Sequence, residues 1–135
     1  MKRPEPRIEE EIREFVNDNW DFFARWDNGE ISPDRIAWLD GREVDDRILV
    51  SDQIPGAIET KDAFAEGFLS MHGRFADDPV NPRIEFLYLG SLAPNVYVVT
   101  YRRHYDSSSG GTTSWVITEI LVRKDGELRV QYIHE

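Results

Sequence analysis

The feature that most constrains this chain is the change of hydrophobic period after Pro79 and Pro82. From Arg83 to Glu135 apolar residues alternate instead of recurring every three or four positions, which is the pattern of strands buried on one face. Asp125-Gly126 stands between two such runs and is tight-hairpin chemistry, because the favoured two-residue turn needs positive φ. Ala93-Pro94-Asn95 breaks the first pair, and Ser107 to Gly111 makes a longer serine- and glycine-rich loop. The expected strands are 83–90, 95–106, 112–124 and 127–134, an antiparallel meander. Its apolar face must be covered, and the segment before it is what can cover it.

That segment reads as helical. Over residues 7–26, Ile8, Ile12, Phe15, Val16, Phe23 and Trp26 fall on a helical period, with Trp20 and Phe22 widening the stripe. Asp27-Asn28-Gly29 supplies the stop. Ser32-Pro33-Asp34 starts a short second helix ending at Asp40-Gly41, with Ser32 as the expected cap. A short strand follows over 47–52, closed by Pro55-Gly56. Thr60 then caps a third helix running to about His72, with Ala63, Phe64, Gly67, Phe68 and Met71 on one face. Gly67 in mid-helix costs about 1 kcal/mol against alanine, which points to close packing at that position. Helices first and a meander afterwards mean α+β, in one domain over residues 1–135.

Charge and composition exclude several functions. Sixteen basic and twenty-six acidic residues give a formal charge of −10, a field that repels phosphate backbones, and Arg102-Arg103-His104 is too short a basic stretch to reverse it. The absence of cysteine removes disulfides, thiolate zinc sites and thiol nucleophiles. No apolar run reaches the roughly 20 residues of a membrane span, and a charged, proline-bearing start does not resemble a signal segment; a cytoplasmic protein is expected. Phosphate-loop and dinucleotide motifs are missing, and His72, His104 and His134 lack ligand spacing, so no cofactor and no metal are expected.

The order of elements resembles the nuclear transport factor 2-like superfamily, which includes SnoaL-like polyketide cyclases, ketosteroid isomerase and scytalone dehydratase. The likeness is sharpest over residues 120–135, where an apolar strand, the basic pair Arg123-Lys124, Asp125-Gly126 and the alternating run from Leu128 to His134 resemble the family's final hairpin. The same closing pattern is similar to that of the association domain of calcium/calmodulin-dependent kinase II. Leu128 stands where members typically carry tryptophan, and Tyr132 where many carry the first of two histidines. The resemblance implies a cone-shaped curved antiparallel sheet wrapped around three N-terminal helices, a cystatin-like roll with a pocket at its open end. It also implies homodimers paired through the outer sheet face. Such scaffolds host isomerases, dehydratases, cyclases and assembly modules, so activity has to be argued from the site.

Because strand side chains alternate, Leu128, Val130, Tyr132 and His134 share a face opposite Gln131, Ile133 and Glu135. The resemblance puts the first set inside the cone. His134 is then the leading acid/base candidate, because its proton transfers near neutral pH, with Tyr132 beside it; the plainer reading is a histidine at the pocket rim. Asp52 follows the first strand, near where isomerase and dehydratase relatives place pocket acids, although aspartate before a proline-glycine turn is also turn chemistry. On strand 95–106, either Arg102 and His104 face the cone and bind ligand, or Tyr97, Tyr101, Arg103 and Tyr105 do. Glu119 shares a face with Trp115, Ile117 and Leu121; a pair with a neighbouring-strand arginine is favoured there over a catalytic carboxylate. Trp38 is a candidate cavity wall, and His72 a helix-end cation. The expected function is a small-molecule-binding cone domain for an apolar or carbonyl-bearing ligand, as an isomerase-, cyclase- or dehydratase-type enzyme. The alternative is a non-catalytic homodimeric association or ligand-sensing module.

Overall fold

The computed structural model describes residues 1–52 and 55–135. Helix α1 spans Pro6–Asp27, a 3-10 helix Pro33–Gly41, and α2 Lys61–Ser70. The strands are β1 Glu43–Val50, β2 Ala57–Ile58, β3 Val80–Ala93, β4 Val96–Ser107, β5 Thr112–Lys124 and β6 Glu127–His134. They form one sheet in the order β2-β1-β6-β5-β4-β3. The class is α+β, as the period change requires. One pairing departs from the expected antiparallel sheet: β1 runs parallel to β6, which the chain reaches by a crossover through α2 and the meander.

The local chemistry explains most boundaries. Asp125 and Gly126 take φ of 54° and 81°, the left-handed pair that closes a two-residue hairpin. Thr60 Oγ1 accepts the Ala63 N–H at 3.2 Å and so caps α2. Ser32 makes no such side-chain bond, and its segment winds as a 3-10 rather than an α-helix. Pro82 is tolerated inside β3 because β3 is the sheet edge. Gly29, at φ 74°, turns the chain after α1. Beside it the Asn28 amide both donates to Val80 O (2.9 Å) and accepts from Val80 N (2.8 Å), taking the place of a strand partner where β3 begins. His72 does not cap its own helix. Its Nε2 lies 2.6 Å from the Ile31 carbonyl, which ties the end of α2 to the segment after α1.

Two apolar clusters result. In the larger, Ile12, Phe15, Val16 and Trp20 of α1 pack on Val99, Tyr101, Ile117, Leu121, Leu128 and Val130 of the sheet. In the smaller, Phe22 and Trp26 meet Ile31, Leu39 and Phe68. This second cluster holds α2 and the 3-10 helix to α1, away from the end of the sheet formed by Tyr101–Tyr105, Thr113–Trp115 and Ile133. Between α2 and that end lies a cavity.

Candidate functional site

The cavity has a volume of about 720 Å³, within the usual range of small-molecule sites. Its walls are aromatic, from Trp20, Phe23, Phe64, Phe68, Phe75 and Trp115. Polar groups enter from the inward row of β4, where Tyr101, Arg103 and Tyr105 occupy alternate positions and are all buried. Of the two faces left open by the sequence, the structure selects this one. Bulk is a legible reason in retrospect: the tyrosine row fills an interior better than Val96, Val98 and Thr100.

A continuous chain of contacts runs along the wall. Glu119 Oε2 accepts the Tyr101 O–H at 2.5 Å, and Tyr101 Oη accepts the Trp20 indole N–H at 2.5 Å. The guanidinium of Arg103 lies over the Trp20 ring at 4.6 Å and over the Tyr105 ring at 3.9 Å. Tyr105 donates to Asp27 Oδ2 at 3.0 Å. Arg74 donates to both Asp27 oxygens, from Nε at 3.1 Å and from Nη2 at 3.2 Å, the bidentate geometry of a strong charge-assisted pair.

Burial sets the proton affinities. Glu119 is 3% exposed, and loss of hydration pushes its carboxyl up to about 7 against the stabilising bond from Tyr101, with Glu135 adding a smaller upward push. Burial likewise raises Asp27 above the usual carboxylate range, opposed by Arg74 and Tyr105. Glu135 is raised too, chiefly by burial. Both tyrosines are raised, chiefly by burial, so each remains a proton donor in its hydrogen bond. Behind the wall, Arg47 pairs with buried Glu43 and lies 4.0 Å from the Phe64 ring centroid; burial lifts Glu43 to about 8.

The expected residues distribute unevenly around this cavity. Glu119 lines it, with a tyrosine rather than an arginine as partner. Tyr132 and His134 do not. A bulge at Gln131 breaks the alternation of β6, so that Leu121 pairs with Val130 but Ile120 pairs with Tyr132. An extra residue in one strand reverses the faces beyond it, and therefore Ile133 and Glu135 point inward while Tyr132 and His134 point outward. The signal was present in the apolar spacing, since Leu128 and Val130 are followed by Ile133. Arg102 and His104 also lie on the outer face. There Arg102 donates to Glu85 at 3.0 Å, and His104 meets Ser114 at 2.6 Å and Glu85 at 3.3 Å. Trp38 stacks on Phe22 at 4.1 Å beside a separate polar hollow. Asp52 sits in an exposed turn, where its backbone N–H bonds to Glu135 O; its neighbour Ser51 lines the cavity instead.

Sequence reasoning missed Asp27 and Arg74, and it reads Gly67 differently. In the sequence Asp27 is part of a helix stop, and nothing local marks its long-range bond to Tyr105. A Cβ built on Gly67 meets nothing within 4 Å, so this glycine borders open cavity rather than a close helix contact. Among the described residues no cluster of histidine and carboxylate side chains could hold a metal ion, and no helix is long and apolar enough to cross a membrane.

Comparison with known proteins matches the architecture. By sequence, no family model and no curated protein matches the chain. By structure, it is similar to an NTF-2-like protein of unknown function from Pseudomonas aeruginosa, at 23% identity and TM-score 0.70, over 91% of this chain and 94% of that one. Aln2 from a Streptomyces species is similar at 18% identity and TM-score 0.69, over 98% and 92% of the two chains. A candidate ketosteroid isomerase from Parabacteroides distasonis is similar at 16% identity and TM-score 0.57, over 83% and 80%. The chain therefore has the NTF-2-like, cystatin-like cone fold.

Proposed function

We propose that this chain binds an apolar, carbonyl-bearing small molecule in the cone and that Glu119 moves a proton on it. The observation that carries this reading is the placement of Glu119, a buried carboxyl in the wall of a large aromatic cavity. A group with a proton affinity near neutrality is the most effective general acid or base at working pH, and burial brings Glu119 to about 7. Tyr101, itself held by Trp20, fixes one carboxyl oxygen and leaves Oε1 to act next to a carbonyl. Likeness of fold to a candidate ketosteroid isomerase is in keeping with such chemistry. His134, Tyr132 and Asp52 have no place in this proposal, because they stand outside the cavity.

The test is hydrogen–deuterium exchange at the methyl group of 2-acetylnaphthalene in D₂O, followed by NMR. Wild type is expected to bind the ketone and accelerate exchange, while Glu119→Gln binds it and loses the acceleration. Exchange that persists in Glu119→Gln would remove Glu119 from the role. A second reading is a non-catalytic homodimeric association or sensing module. It draws on the outer sheet face, where Tyr88 and Val116 are 42% and 51% exposed near Val98, Ile120 and Tyr132. Ketone binding without exchange, together with a dimer in light scattering, is its signature.

A further inference from the structure

The cavity wall holds a second charged group, which proton transfer by Glu119 does not use. Arg103 is 7% exposed, and its Nε has no hydrogen-bond partner among the described residues. Among the described residues its guanidinium forms neither an ion pair nor a hydrogen bond, whereas the other interior arginines have one or the other. Arg47 pairs with Glu43, Arg74 with Asp27, and Arg42 donates to Asn19 Oδ1 at 2.8 Å. A guanidinium keeps its proton at any ordinary pH, so burial without a counter-anion is costly. The Trp20 and Tyr105 rings offset part of that cost through their faces, but they supply no acceptor for the N–H groups.

The nearby carboxylates are engaged or out of reach. Asp27 has both oxygens bonded by Arg74 and one also by Tyr105. Glu119 accepts from Tyr101. Glu135 and Asp27 both exert an electrostatic pull on Arg103, yet neither forms an ion pair with it. What remains is a forked donor lining a cavity whose other walls are aromatic. With a formal charge of −10, the protein's overall field opposes anion entry, so an anionic ligand would depend on a local cation.

We propose that the ligand carries a carboxylate on an aromatic or polycyclic apolar body, and that Arg103 holds this carboxylate through its forked N–H groups. A planar two-oxygen anion matches the fork, which is why arginine rather than lysine serves such sites. The inference rests on reading the cavity as a small-molecule site, and it names the class of molecule.

Calorimetric titration with 2-naphthoate and 2-naphthamide, one body with and without the charge, tests it. Wild type is expected to prefer the carboxylate by about tenfold or more, as charge-assisted hydrogen bonds imply. Arg103→Met should abolish that preference while keeping the affinity for the amide. Arg103→Lys should keep part of the preference, since it retains the charge and loses the fork. If Arg103→Met does not fold, Arg103→Lys decides, because full wild-type selectivity there would overturn the forked hold. Gly67→Phe should stop both probes binding, since its ring enters the open space beside α2. Equal affinities in wild type, a preference that survives Arg103→Met, or carboxylate binding unaffected by Gly67→Phe would overturn the carboxylate inference alone. Binding of neither probe to folded wild type would overturn the cavity reading and this inference with it.

Discussion

Along β4, one inward-facing row serves two regions of the molecule. Val99, with Ile117 and Leu121 of β5, is fully buried under Ile12 and Val16 of α1. Further along the same row, Tyr101, Arg103 and Tyr105 are also buried, but they meet only the end of α1, at Trp20 and Asp27, and line the cavity that opens beyond it. The strand geometry is the same in both, and so is the alternation. What differs is the partner: α1 lies directly on the sheet, whereas α2 is held off by its own aromatic contacts to α1, with Phe68 4.6 Å from Trp26 and 5.5 Å from Phe23. The closed region gives its inward positions to aliphatic packing. The open region places two tyrosines, an arginine and the carboxyls of Glu119 and Glu135 in the same kind of position. Core and site are therefore one architectural layer, separated by what the facing helix does.

The sharpest way to break this comparison is to remove volume on the closed side. Ile117→Ala should cost about 2–5 kcal/mol in urea unfolding, because deleted methyl groups are lost together with the cavity they leave. Phe64→Ala, in the wall of an existing cavity, should cost less, since the space it vacates joins open volume. Equal losses would show that the open region is packed as tightly as the closed one.

A smaller effect separates the two regions by pH. Unfolded, the Glu119 carboxyl titrates near its ordinary 4.5; folded, it keeps its proton to about 7. Between those values the unfolded chain has released a proton that the folded chain retains, so stability falls as pH rises, by about 1.4 kcal/mol per unit for each such group. Glu119→Gln should match wild type near pH 4.5 and exceed it by on the order of 2–3 kcal/mol at pH 8. The groups that act on Glu119 are Tyr101 from β4 and Glu135 beyond β6, and Glu119 in turn acts on Glu43 of β1. Because Glu43 is itself raised from 4.5 to about 8, the variant should still lose stability as pH rises throughout this range, with a shallower slope than wild type. Denaturation midpoints measured from pH 4.5 to 8 check this, and parallel curves for the two proteins would place Glu119 in contact with water.

How much of this was legible follows from the range of each signal. Local chemistry was readable: the Asp125-Gly126 hairpin, the Thr60 cap, the stripe of α1 and the period change after Pro82 all act within a few residues. The parallel pairing of β1 with β6 was not, because it joins residues far apart in sequence, such as Glu43 with Val130 and Val50 with His134, and leaves no local mark. The bulge at Gln131 lay between these cases. It reverses the faces of Tyr132 and His134, and so moved the leading candidates out of the cone, although the Leu128, Val130, Ile133 spacing encoded it. Glu119 was legible as a buried, titratable group from its apolar neighbours, but the arginine expected as its partner is a tyrosine, because the register that sets Tyr101 beside it leaves no local mark.

The smallest expected effect tests the open region at one atom. Gly67 lies within α2, where glycine costs about 1 kcal/mol relative to alanine through backbone entropy. Close packing would justify that cost, but a Cβ there meets nothing within 4 Å and the backbone needs no left-handed conformation. Gly67→Ala should therefore stabilise the fold by roughly 0.5–1 kcal/mol, raising the urea midpoint with an unchanged slope. The same methyl group would protrude into the cavity and slightly weaken binding of a large probe such as 2-naphthamide. A stabilised protein with weakened binding would mean that α2 gives up helix stability to keep room for a ligand. Destabilisation would mean that α2 rests against the sheet in solution and that the two regions do not differ as described.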